Sequence, residues 1–176
     1  MGRSPPLSTA NAILVDANVL FAIGGPQNAK YRSFRREVRR AGVVLKLPQR
    51  VVDELGGTGS DRIQTALDEG WVEIVDAPSL RDADAINASD IAWRTIASAD
   101  DKPEHEVEKA DTILAGLAIQ YLADRNTEGV TVLTGDTGAQ RGIEAAVRTH
   151  GYEDSIAIYN LYDIIGDDPD DSLTII

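Results

Sequence analysis

The sequence predicts a three-layer α/β/α fold around a central, mostly parallel sheet of five strands. Three observations lead there. Short apolar runs alternate with longer amphipathic segments along the whole chain, the pattern of strands joined by crossover helices. Glycines stand where the helical segments should stop. At 176 residues and 43% hydrophobic content the chain can bury one substantial core.

The elements follow in order. AILV (12–15) is the first strand, and residues 28–41 form an amphipathic helix that Gly42 stops. VVLKL (43–47) is the second strand, followed by helices over about 48–56 and 60–69, the latter stopped by Gly70. WVEIV (71–75) is the third strand. The small, polar stretch DAPSLRDADAINAS leads into a helix over 82–98, a helical insertion spanning about 76–103. A helix over 105–124, the strand VTVLT (130–134), a helix over 137–149 stopped by Gly151, and the strand IAIYN (156–160) complete the pattern. We expect a single domain over 12–165, with a flexible N-terminal arm at 1–11 and an acidic tail at 166–176, where DDPDD precedes SLTII.

Composition narrows the chemistry. There is no cysteine and there are only two histidines, so thiolate zinc sites and cysteine nucleophiles are excluded and a metal site must be built from oxygen. No apolar stretch reaches the roughly 20 residues that span a bilayer, and MGRSPPLSTAN lacks the apolar segment of a signal peptide. The expectation is a soluble, cytoplasmic protein with no membrane partner. Twenty-nine acidic against 17 basic residues give a net charge of −12, which as a global field repels nucleic acid. Asp outnumbers Glu 19 to 10 and Arg outnumbers Lys 13 to 4, a bias resembling proteins of salt-accumulating halophilic archaea. In molar salt the screening length falls to about 3 Å, and local geometry rather than net charge decides binding.

Four acids stand apart. Asp16 interrupts the apolar run ILVDANVLF, and an unpaired carboxylate there would cost several kcal/mol, so it must be hydrogen-bonded, placed at a strand end or bound to a cation. Asp136 follows VTVLTG. Both fall at carboxyl ends of strands, where ligands bind in open α/β sheets. In PQRVVDELGG, Glu54 borders the apolar side, at about 110° from its centre, while Asp53 points away. In the helix containing ADTILAGLA, Asp111 lies roughly 70° from the middle of the apolar stripe, with Glu108 one turn earlier on nearly the same side. Each acid alone has an ordinary explanation as a cap or a helix-dipole partner. Gathered together they would repel one another, and a hard divalent cation such as Mg²⁺ or Mn²⁺ is the most economical neutraliser.

ILVDANVL, VVDEL, ADTILAGLA and VLTGD, in that order, resemble the motifs of PIN-domain ribonucleases, and the resemblance runs from Ile13 to about Leu161. That family includes VapC-type toxins and RNA-processing nucleases. The resemblance implies a PIN-like sheet flanked by helices, a Mg²⁺ or Mn²⁺ site, frequent homodimers and, for a toxin, an antitoxin protein. It further implies Asp16, Glu54, Asp111 and Asp136 as catalytic metal ligands, with Asn18 and Thr134 as supporting polar residues; the helix geometry would let either Glu108 or Glu104 join the rim. Around 76–103 the chain is longer than a typical VapC-type toxin.

The implied reaction is hydrolysis of an RNA phosphodiester by metal-activated water. The chain has no GxSxG elbow, Walker loop or GxGxxG fingerprint, so acyl transfer, NTP hydrolysis and dinucleotide binding lack support. Six of the 17 basic residues fall within 30–40, and on a helix Arg32, Arg35, Arg36, Arg39 and Arg40 make a positive stripe opposite Tyr31, Phe34 and Val38. Its functional reading is contact with RNA phosphates; its structural reading is a solvated face paired with acids elsewhere. Two other functions stay open: a non-cleaving PIN-like RNA-binding or regulatory module, and an aspartate-dependent phosphatase, for which DAN lacks the second aspartate. Trp71 and Trp93 read as core or interface anchors rather than base-stacking platforms, and His105 and His150 as surface or helix-end residues.

Overall fold

In the computed structural model, the strand β1 (Asn11–Val15) turns Ile13 and Val15 to one face of the sheet and Ala12 and Leu14 to the other. This two-residue alternation separates two apolar clusters and makes β1 the centre of a layered structure. The structure describes residues 7–54, 56, 61–75, 85–88, 91–92, 94, 109–124, 128–135 and 137–166, except for the side chains of 54, 61–62, 109–113 and 137–139.

The other strands are β2 (Leu45–Pro48), β3 (Val72–Val75), β4 (Gly129–Thr134) and β5 (Ile156–Asn160). All pair in parallel, in the order β3-β2-β1-β4-β5. One layer contains α1 (Ala17–Ile23), α2 (Ala29–Ala41), α3 (Gln49–Glu54), α4 (Asp61–Glu69) and, after β5, α7 (Leu161–Ile165). The other contains α5 (Lys109–Asp124) and α6 (Thr137–Thr149). The five-stranded parallel sheet and its two helical layers agree with the expected fold class.

Elements with strong periodicity fall where expected. The strand at 156–160 and the helix at 137–149 coincide with β5 and α6, and Gly42, Gly70 and Gly151 follow α2, α4 and α6 with positive φ. Gly42 shows why. It takes the left-handed conformation at φ 71°, and its N–H bonds to the carbonyls of Arg39 and Val38, closing the last turn of α2. Trp71 is buried as expected, edge-on to Tyr31 at 5.6 Å and Phe34 at 6.0 Å between ring centroids. Trp93 and His105 lie outside the described residues; His150 follows the end of α6.

Three features differ from the expectation. Helix α1 begins directly after β1, with no loop to mark the change of period. Helix α7 likewise begins directly after β5. Both are short, so an apolar run such as VLF reads as an extension of the strand, although Asp16 and Gly24 cap one helix and Asn160 and Gly166 the other. Third, α5 is not striped: every residue from Leu114 to Tyr121 is buried. The sheet and α6 cover part of it, and the helical residues 85–88 with Ala92 supply Ala85, Ala88 and Ala92 to the same cluster. Part of the expected insertion therefore roofs this core; its remaining residues, and the tail from 167 onward, lie outside the described residues.

Candidate active site

Strand order decides where a ligand can enter. From β1 the chain moves outward through β2 to β3, then returns to place β4 on the other side of β1. The helix after β1 lies in one layer and the helix after β4 in the other, so the layers part beyond the carboxyl ends of these strands. Such a switch point is where open α/β sheets hold ligands.

Asp16 occupies this point. Its N–H continues the β1/β4 ladder by donating to the Leu133 carbonyl at 2.9 Å, and its own carbonyl accepts from the Val19 N–H at 3.1 Å as α1 begins. The residue thus directly follows a strand and is the N-cap of a helix. Its side chain is fully buried, with 0% exposure. Oδ1 accepts from the Asn18 N–H at 3.4 Å, and Oδ2 accepts from Asn18 Nδ2 at 3.3 Å and from Thr134 Oγ1 at 3.0 Å. Thr134 ends β4 and is itself fully buried. The two helper residues implied by the resemblance therefore both touch Asp16.

Gly135 brings α1 this close. A Cβ on Gly135 would stand 3.1 Å from the Asn18 carbonyl oxygen and 3.4 Å from the Val19 nitrogen, tighter than side chains tolerate without a shift. The residue after β4 is thus packed against the first turn of the helix that Asp16 caps. No local signal in the sequence marks Gly135, since its importance lies in a contact with residues far away in the chain.

The backbone brings Glu54 and Asp111 to the same end of the sheet. Glu54 closes α3, which begins directly after β2. Asp111 is in the first turn of α5, whose other end leads to the amino end of β4, so its first turn lies at the carboxyl end. The side chains of Glu54 and Asp111, and all of Asp136 and Glu108, lie outside the described residues. Asp53 is exposed and accepts from Gln49 Nε2 at 3.0 Å, so it points away from the core as expected. Among the described residues there is no group of three His, Cys, Asp or Glu side chains that could hold a metal. The donors that are described fit a hard cation: a buried carboxylate and a hydroxyl, in a chain without cysteine.

A family model for the halobacterial PIN domain matches residues 9–173. The chain belongs to that family. PIN membership places it among nuclease-type domains. Two solved structures resemble this PIN domain. VapBC2 from Rickettsia felis, bound to a DNA fragment from its promoter, is 16% identical, with 85% of this chain and 98% of that one covered at a TM-score of 0.43. DNA-bound VapBC from Salmonella typhimurium is 19% identical, with 86% and 98% covered at 0.39. No curated protein matches significantly. Among the described residues of this PIN domain, no helix is long and apolar enough to cross a membrane.

The arginine stripe is present on α2, and its members differ in their surroundings. Tyr31, Phe34 and Val38 are buried beneath it as expected. Arg35 Nη1 lies 2.9 Å from Glu69 Oε2, and Arg39 Nη2 lies 3.0 Å from the same oxygen. Arg36 and Arg40 flank Glu37 at 3.9 and 3.5 Å with most of their side chains exposed, and Arg32 donates to the Gln27 carbonyl. Because α2 leads from the carboxyl end of β1 to the amino end of β2, it runs against the strands. Arg32 is at the Asp16 end, and Arg40 lies about 12 Å further along the axis.

Proposed function

We propose that this PIN domain is a metal-dependent endoribonuclease that hydrolyses RNA phosphodiester bonds at the carboxyl end of the β1/β4 pair. The observation that carries the reading is the fully buried carboxylate of Asp16 at the switch point of the sheet. Capping α1 does not require a charge there, because Asn caps a helix as well as Asp and has no ion to desolvate. A charge retained in so costly a place has a use for its negative oxygen.

In this reading Asp16, Glu54, Asp111 and Asp136 hold Mg²⁺ or Mn²⁺, and Glu108 stands at the rim. When bound, the ion supplies a Lewis acid beside the scissile phosphate and lowers the pKa of water. The chain's own residues set the geometry. Thr134 and Asn18 donate to Asp16 and fix the position of its carboxylate. Arg32, Arg36 and Arg40 give RNA phosphates a positive track down α2, while Glu69 holds Arg35 and Arg39 in line with it. A homodimer and an antitoxin protein are the protein partners that go with the family resemblance.

The test is cleavage of total RNA in concentrated KCl with Mg²⁺, Mn²⁺ or EDTA, beside the Asp16→Asn variant. Cleavage should need the metal and vanish in the variant. Undiminished cleavage by Asp16→Asn would defeat the reading, and metal-independent RNA binding without cleavage would select a non-cleaving module instead.

A further inference from the structure

An exposed aromatic ring stands at the same end of the sheet as Asp16. Thr134, which bonds Asp16, is the register partner of Asn160, the last residue of β5. Two strand spacings, about 10 Å, therefore separate the backbones of Asp16 and Asn160. Asn160 turns the chain into α7. Its Oδ1 accepts from the Tyr162 N–H at 3.0 Å, and its own N–H donates to the Asp163 carboxylate at 2.8 Å. These two bonds hold the Tyr162 backbone in place directly after the strand, while the residue stays 42% exposed.

Lys30, in the first turn of α2, donates to Tyr162 Oη at 3.5 Å, and its Nζ lies 5.8 Å from the ring centroid. The ammonium is nearer the hydroxyl than the ring centre. It therefore sits off the hydroxyl edge and leaves the faces of the ring uncovered by its charge.

We infer that Tyr162 and Lys30 form a stacking step for single-stranded RNA, with an unpaired base lying on the tyrosine ring and the Lys30 ammonium meeting the adjoining phosphate. The inference rests on the ribonuclease reading and narrows its substrate: bases held inside a duplex cannot reach such a ring. Charge makes the arrangement useful. A chain of net charge −12 repels a polyanion, and salt concentrated enough to screen that repulsion also weakens phosphate contacts. Stacking on an aromatic face is indifferent to base identity and does not depend on counterion release, so it persists where ionic contacts fade.

The experiment measures fluorescence anisotropy of a labelled single-stranded oligoribonucleotide of about 12 nucleotides, a length suited to a single-strand site. It is run in EDTA across a KCl series, in the Asp16→Asn background so that the RNA survives. Tyr162→Ala should weaken binding about tenfold at every KCl concentration, the usual loss for removing a base-stacking ring. Tyr162→Leu, which keeps apolar bulk without a π face, should bind as weakly as the alanine variant, and Tyr162→Phe should stay within about twofold of the parent. The loss from Lys30→Ala should shrink as KCl rises. Val44→Ala, exposed near the amino end of β2, should bind like the parent. If Tyr162→Ala and Tyr162→Leu match the parent while the wild type cleaves RNA, this inference fails alone. If Tyr162→Ala changes self-association and leaves RNA affinity intact, the ring belongs to a protein contact and the inference also fails. If the parent binds no RNA and the wild type cleaves none, the ribonuclease reading falls with it.

Discussion

Thr134 Oγ1 lies 3.0 Å from Asp16 Oδ2, a fully buried hydrogen bond between residues 118 apart in the chain. It joins the ends of two neighbouring strands at the point where the sheet reverses its order. A hydroxyl donating to a buried carboxylate is charge-assisted, and its removal leaves that oxygen short of a donor. Thr134→Val should lower stability by about 2 kcal/mol and reduce cleavage, whereas Thr134→Ser should retain most of both. Thermal unfolding and the RNA cleavage assay on the two variants check this. Equal losses in the serine variant would show that the methyl group, not the hydroxyl, matters.

Gly135→Ala tests how closely α1 must approach β4. The added Cβ would press on the Asn18 carbonyl, and the first turn of α1 would have to move by a few tenths of an ångström. Asn18 carries two of the donors on Asp16, so the site loosens with it. We expect about 1–3 kcal/mol of destabilisation, and cleavage reduced at least about tenfold at a temperature where the variant is fully folded. Full activity in a folded variant would show that the site tolerates displacement of this turn.

Tyr31 links stability to alkaline pH. Burial, reinforced by the nearby Glu69 carboxylate, pushes its phenol up from 10.0 to about 12. The folded state therefore keeps a proton that the unfolded state releases between these values. This contribution to stability is complete below about pH 10 and is lost as pH rises towards about 12. Tyrosinate absorbance should show the Tyr31 phenol ionising late, and Glu69→Gln should bring it earlier by removing the negative charge. A titration unchanged in Glu69→Gln would mean that burial accounts for the whole shift.

The arginines on α2 are distinguishable by their response to salt. Arg36 and Arg40 are the more exposed, whereas Glu69 engages Arg35 and Arg39. Replacing Arg36 and Arg40 together by alanine should lower RNA affinity and reduce the slope of log affinity against log salt by about 1.4, the value for two phosphate contacts on a single strand. Binding measured from low to high KCl gives that slope directly. An unchanged slope would make these arginines a solvated face and nothing more.

Much of this architecture is legible in order along the chain. Alternating apolar residues in VTVLT, the amphipathic pattern of NAKYRSFRREVRRAG and the glycines after three helices are local signals, and local signals specify the type and span of an element. Asp16, after ILV, could be placed because a strand followed by a helix leaves the residue at its end on the rim. The short helices α1 and α7 escaped because one or two turns hold too few residues to show a period, and only their caps signal them.

By itself, then, the sequence determined the α/β class, the positions of the principal strands and helices, the acidic character and the family motifs, all of which depend on spacing within a segment. Tertiary structure alone decided that β1 and β4 are neighbours, that Thr134 and Asn18 converge on Asp16, that Gly135 meets Asn18, that Glu69 gathers two arginines, and that Lys30 reaches Tyr162. The reason is physical. Periodicity records which face of an element is apolar, but which elements share an edge depends on how all the apolar faces pack together, and contacts between distant residues exist only once that packing is complete.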